Sequence, residues 1–172
     1  MLGVATLIIV MAVMNGFRQE LLTRILGING HLMVSGSANQ IAGFDDMADK
    51  VRGVPGVTLV TPMIEGQVMA TARGVARGAV VRGMRAEDLA KRPIIADNIV
   101  AGSLDDLAGG DSVIVGARLA SLMGLSIGDN ISLISPKGNV TAFGTVPRMR
   151  AYRIAATFRI GMYEYDSSFV FL

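Results

Sequence analysis

The chain has 172 residues, enough for one domain with a buried core or for two small ones. Hydrophobic residues make up 51% and charged residues only 17% of it, and the mean hydropathy is +0.50, so the apolar excess over an ordinary soluble domain has to be located. Lys and Arg total 16 against 14 Asp and Glu; a net charge of +2, few aromatic rings and no basic stripe set nucleic acid aside as a partner. The lack of cysteine excludes disulfides, thiolate catalysis and Cys-based zinc.

Much of the excess sits at the start. Residues 2–14 (LGVATLIIVMAVM) carry no charge, and the first charged side chain is Arg18. As a helix this run covers about 20 Å at 1.5 Å per residue, short of the ~30 Å of a bilayer core. A run of that length alone is more often a buried helix or a signal segment than a membrane span. No basic region precedes it and no A-x-A cleavage site follows, which disfavours a signal peptide. Helical spacing continues through residues 15–27 (NGFRQELLTRILG). There Phe17, Leu21, Leu22, Ile25 and Leu26 share one side, and Arg18, Gln19, Glu20, Thr23 and Arg24 share the other. Glu20 and Arg24 are spaced as an i,i+4 pair, and Gly27 suits a C-cap. A helix apolar all round that turns amphipathic reads as the outer part of a membrane span, residues 1–27, whose first turns precede this chain.

From His31 the period changes. Residues 31–35 (HLMVS) form a strand candidate, and Asp45 and Asp46 open a helix reaching about Arg52, where first-turn carboxylates favour the helix dipole. Val54-Pro55-Gly56 is a turn, followed by expected strands at 57–62, 67–72 and 79–84, with a Gly/Arg-rich turn at 73–78 between the last two. Helical turns are expected at 86–90 and 97–102. Residues 112–115 read as a buried strand and 117–123 as a short helix ended by Gly124. Gly128-Asp129 makes a turn into a strand at 130–134. A long hairpin excursion fills 135–150, a strand is expected at 152–160, and another begins at 168. That final run ends without a turn, so the expectation is a domain, residues 28–172, incomplete at its C-terminus.

Little in this pattern supports catalysis. Histidine occurs once, at His31 on an expected strand start, where a structural role outweighs a catalytic one. There is no G-x-x-x-x-G-K-[ST], and Gly109-Gly110 lacks a Rossmann context. The pairs Asp105/Asp106 and Glu164/Asp166 fall on expected loops without histidine partners, so solvated surface is the expectation for them. No enzyme activity, metal or cofactor is expected.

Five segments, in order, carry a resemblance. They are residues 13–26 (VMNGFRQELLTRIL), 66–69 with 81–83 (GQVM, VRG), and 102–104 (GSL) leading to 115–129 (VGARLASLMGLSIGD). The last two are 134–148 (ISPKGNVTAFGTVPR) and 161–168 (GMYEYDSS). Together the chain resembles the permease subunits of the lipoprotein-releasing (Lol) ABC transporter, LolC/LolE type, which share a periplasmic domain with MacB-type efflux permeases. The resemblance implies an α+β fold, a mixed-sheet MacB-like periplasmic domain following the C-terminal part of a transmembrane helix. It implies a bacterial inner-membrane subunit with that domain in the periplasm. The implied partners are a cytoplasmic ATPase, a second permease subunit, a lipoprotein cargo, a periplasmic lipoprotein carrier and membrane lipid.

Two regions would carry function on this resemblance. Met14 and Phe17 match positions that face lipid chains, where a flexible thioether and a large ring suit irregular acyl packing; packing against a neighbouring helix is the alternative. The hairpin from Pro136 to Pro147 matches a loop that hooks the carrier, with Phe143 as apolar anchor at a tip shared with Gly144. Arg148 and Arg150 would pair with carrier carboxylates. Ala142 stands where the hook pattern has Pro, and Ser132 where it has a basic residue. A plain surface hairpin, a MacB-like efflux or mechanotransmission permease, and a free-standing periplasmic binding module are the rival readings.

Overall fold

The computed structural model describes residues 2–36, 41–107, 110–141 and 144–172. They fall into two units, Met1–Gln40 and Ile41–Leu172. The first is built on one helix, α1 (Leu2–Asn29). It runs through Gly27, the expected cap, because the residue that reverses the backbone is Gly30: its φ is 72° and its N–H donates to the Leu26 carbonyl at 2.8 Å. The Glu20–Arg24 pair closes at 2.7 Å as expected. The strand expected at 31–35 is absent. His-Leu-Met-Val-Ser has strand composition, but a strand needs a ladder, and none of the described residues pairs with it. Leu32 is 90% exposed there.

The second unit opens with α2 (Phe44–Arg52), with Asp45 and Asp46 in its first turn as read from the sequence. Seven strands and short helices follow: β1 (Ile64–Ala72), β2 (Val75–Gly83), α3 (Ala86–Ala90), α4 (Pro93–Ala96), β3 (Ile99–Gly102), β4 (Ser112–Gly116), α5 (Ala117–Leu122), β5 (Asn130–Thr141), β6 (Gly144–Phe158), α6 (Tyr163–Ser168) and β7 (Phe169–Phe171). This is the α+β, mixed-sheet architecture expected. The sheet order is β3-β6-β4-β7-β2-β1-β5, and β5 also pairs with β6. The pairing therefore closes into a circuit, β6-β4-β7-β2-β1-β5 and back to β6, with β3 alongside β6. The β2–β7 and β4–β6 ladders are parallel and the others antiparallel.

Alternation explains how the circuit is filled. Each strand of the ring sends one face into a common core: Ala70, Ala79, Val113, Val115, Ile131, Leu133, Ile154 and Val170, joined by Leu119, Ala120, Met123 and Leu125 from α5 and its exit. The other face carries Ile114, Phe158 and Phe171, all fully buried, with the two rings edge-to-face at 5.3 Å. Arg82 also lies on that face. It is buried, paired with Glu65 at 2.6 Å, and its guanidinium sits 4.8 Å from the Phe169 ring centre.

Four expectations change. Residues 57–62 are irregular and β1 starts only at Ile64; Pro62 has no N–H to give a ladder. The β1–β2 turn is just Arg73-Gly74, with φ of 48° and 78°, the two-residue form whose twist matches the strands. The helical turn placed at 97–102 lies at Pro93–Ala96, where proline occupies the first turn, and β-branched Ile99 and Val100 instead join β6 as β3. Asp166 is no solvated loop residue. It is buried in α6, and its carboxylate accepts the N–H groups of Ile160 at 2.8 Å and Gly161 at 3.1 Å.

Gly116, where β4 becomes α5, shows why that junction is tight: a Cβ there would lie 2.2 Å from the Asp166 carbonyl oxygen. Gly66 on β1 has nothing within 4 Å of its Cβ position. Urea unfolding should show Gly116→Ala losing about 3 kcal/mol, because backbone must move to admit the methyl. Gly66→Ala should stay within about 0.5 kcal/mol of the parent. Equal effects at the two positions would refute the close-packed junction.

Candidate functional site

Two features gather the residues singled out from the sequence. The first is a face of α1. At 3.6 residues per turn, Val10, Val13, Met14 and Phe17 fall on one stripe, and with Ile9 they line a shallow apolar groove of about 370 Å³. Met14 and Phe17 are therefore brought together, both well exposed. Residues Gly3–Asn29 form a helix long and apolar enough to cross a membrane, by length and composition. The groove holds no titratable group, so it offers packing and no chemistry.

The second is the far part of the β5–β6 hairpin. β1 pairs with β5 only from Ser132 to Ile134. Beyond that, the described residues of β5 and β6 pair only with each other, so a two-stranded ribbon leaves the ring. Its ladder is interrupted once. Ser135 pairs with Arg148 and Asn139 with Val146, which leaves Pro136, Lys137 and Gly138 facing Pro147 alone. Proline suits this place, since a residue opposite a bulge has no ladder bond to donate. Gly138 is required there, because a Cβ would lie 2.0 Å from the Val146 carbonyl oxygen. Above the bulge the ladder resumes to Thr141 opposite Gly144. Phe143, the expected tip anchor, and Ala142 lie outside the described residues.

At the ribbon's base, Val146, Pro147, Arg148, Met149 and Arg150 are all exposed, as is Pro136 across from them. Arg150 is already engaged. Its guanidinium meets Asp111 at 2.6 Å and donates to the Gly110 carbonyl at 3.4 Å, and it lies 5.2 Å from the Tyr152 ring centre. The hydrogen bond that Arg150 donates to Asp111 is the main cause of a pKa raised above the ordinary arginine value, with Tyr152 and the charge of Asp111 adding to it. Arg150 thus ties β6 to the loop before β4, alongside any outward role. Ser132, where a basic residue was expected, sits in the ring between Thr71 and Ala151. Sequence reading missed Gly138 and Asp111. Neither has a local signal: the first depends on the opposite strand, and the second lies 39 residues from Arg150.

The fold belongs to a known class of domain. The family described as the MacB-like periplasmic core domain matches residues 1–170, and the chain belongs to that family. Among curated relatives it is similar to the lipoprotein-releasing system transmembrane protein LolC of Neisseria meningitidis serogroup B, 30% identical over 97% of this chain and 40% of the relative. The LolC protein of Xylella fastidiosa strain Temecula1 is 28% identical over 96% of this chain and 40% of that protein. The chain thus spans about 40% of the length of these relatives. Among solved structures it is similar to the extracellular domain of the noncanonical ABC-type transporter YknZ from Gram-positive bacteria. That match has 13% identity and a TM-score of 0.49, over 74% of this chain and 60% of that one. The periplasmic region of MacB from Actinobacillus actinomycetemcomitans matches at 13% identity and a TM-score of 0.46, over 82% of this chain and 56% of that one.

The bulge makes the ribbon testable. Gly138→Val should unpair it above Ser135, lowering amide-exchange protection at Asn139 and Val146, which face each other across the ladder, by about tenfold or more while Ile154 in the ring keeps its protection. Unchanged protection at Val146 would mean that the close approach at Gly138 is not what shapes the ribbon.

Proposed function

We propose that the chain is part of a non-catalytic membrane subunit of an ABC transporter, one that releases lipoproteins from the bacterial inner membrane and hands them to a periplasmic carrier. In this reading residues 1–27 belong to the first membrane span and residues 28–172 to a domain facing the periplasm. ATP hydrolysis falls to a separate cytoplasmic ATPase, and a second permease subunit completes the membrane part. Membership of the MacB-like periplasmic core domain family and the likeness to LolC proteins support the permease class.

The observation that carries the hand-off is the ribbon. A strand pair that continues past its sheet contributes little to the ring's own core, yet it places exposed side chains beyond the body of the domain. Pro136, Gly144 and Pro147 set its shape, Phe143 supplies an apolar anchor, and Arg148 and Arg150 supply positive charge toward an acidic carrier. At the membrane, the stripe through Met14 and Phe17 meets acyl chains of cargo or lipid. Such contacts are non-directional and ask only for apolar surface that adapts.

A photo-crosslinking residue in place of Phe143, in the full-length permease in cells, tests the reading. The expected product is a crosslink to the periplasmic lipoprotein carrier, lost when Gly144→Val and Pro147→Ala are combined. A well-expressed, assembled complex that gives no carrier crosslink would assign the chain to a subunit without a carrier hook or to an efflux-type permease.

A further inference from the structure

A separate surface lies where α5 meets α6. The two helices pack over the end of β4, and between them runs an open groove of about 570 Å³ whose lining includes Arg118, Leu122, Arg159, Tyr163 and Asp166. Asp166 belongs to the frame. It is buried and its carboxylate is spent on two backbone N–H groups, so its position is fixed by the fold. Glu164, exposed on α6, is not among the lining residues.

The arginines of this unit divide by whether a carboxylate of the chain holds them. Arg52, Arg73, Arg82, Arg85 and Arg150 each meet a carboxylate of the chain. Among the described residues, neither Arg118 nor Arg159 meets one. Arg118 instead stacks on Tyr163, its guanidinium carbon 4.3 Å from the ring centre. Stacking fixes the plane of a guanidinium and leaves its edge N–H donors outward, the orientation that receives a carboxylate bidentately. Tyr163 is 63% exposed and Leu122 40% exposed, so apolar surface shares the groove with the two arginines.

We propose that the α5–α6 groove docks an acidic segment of a protein partner, with Arg118 and Arg159 receiving its carboxylates and Tyr163 and Leu122 its apolar side chains. Charge complementarity selects the occupant. One arginine held by stacking and a second lining the same groove beside apolar surface match a short peptide with acidic and apolar side chains, whereas an anionic membrane calls for a broader basic field than two residues supply. The site stands apart from the ribbon, so its test is independent of carrier binding.

The full chain, purified in detergent, is titrated against a fluorescein-labelled oligoglutamate, with oligoglutamine as the uncharged control, and binding is read by fluorescence anisotropy. Oligoglutamate should bind and oligoglutamine should not. Replacing both arginines by glutamine (R118Q with R159Q) should weaken binding about tenfold, the sum of two exposed charge pairs. Both are surface residues, and an unchanged thermal unfolding curve for the double variant would establish that the fold is kept. Arg77→Gln, an exposed arginine elsewhere, should leave binding within about twofold and so separate the groove from net charge. Equal binding by parent and double variant, or an equal loss in the Arg77 variant, would overturn the proposal. So would arginine-dependent capture of phosphatidylglycerol vesicles without any binding of the peptide, which would reassign the groove to lipid.

Discussion

Closure of the strand circuit through β5 is the constraint on which the rest of the larger unit depends. β5 meets β1 over only three residue pairs, Met69–Ile134, Ala70–Leu133 and Thr71–Ser132, and then follows β6. Without that short ladder β1 and β5 would be open edges, and the core would lose the wall that Ile131 and Leu133 supply. With it, every strand of the ring has a neighbour on both sides, and β3, four residues long, lies outside the circuit alongside β6. Closure also explains the ribbon. Once β5 and β6 have served the ring, their remaining lengths can bond only to each other. The projecting pair therefore starts from the most constrained point of the unit.

Connections at the rim reinforce the ring. Arg73 adopts a left-handed conformation that a side chain other than glycine takes at a cost of roughly 1–3 kcal/mol. Its guanidinium offsets that cost by donating to the Gly124 carbonyl at 2.7 Å and the Asp129 carboxylate at 2.9 Å, the same carboxylate oxygen that accepts the Ser126 N–H. The β1–β2 turn is thereby tied to the connection between α5 and β5. At the β6 end of the ring, Arg150 and Asp111 make the corresponding tie. Both ties are exposed and so add modestly to stability, but each joins segments that the ring brings together and fixes their register.

What the sequence makes legible is what local chemistry decides. The run from Ser112 to Ile134 is readable because a β-branched strand, a short apolar helix and two left-handed glycines at 124 and 128 are each signalled within a few residues. The α2 start, the helical turn at 86–90 and the hairpin at 135–150 are legible for the same reason. Misreadings arise where a distant partner decides. His-Leu-Met-Val-Ser looks like a strand but has no ladder, whereas Ile99–Gly102 becomes one because β6 is there to pair with it. Asp166 looks like a surface acid until the turn at Ile160 and Gly161 presents two N–H groups to it. In the candidate site, bounding prolines reveal the ribbon, but Gly138 and Asp111 gain meaning only from the opposite strand and from a loop far back in the chain.

The ribbon's composition bears on how it would recognise a partner. Of its two basic groups near the base, Arg150 already holds a carboxylate of its own domain, and position 132 carries serine inside the ring. Charge at the base is therefore partly neutralised, while Val146 and Met149 stand well exposed beside it. An interface built on this surface draws more on apolar contact and on the ribbon's shape than on salt bridges. Shape of that kind is set by the bulge, because the backbone approach at Gly138 and the missing donor at Pro147 together fix where the upper ladder begins. On the proposed function, recognition by the ribbon would thus rest on backbone geometry, and the ring supplies the rigid base that would make such geometry specific.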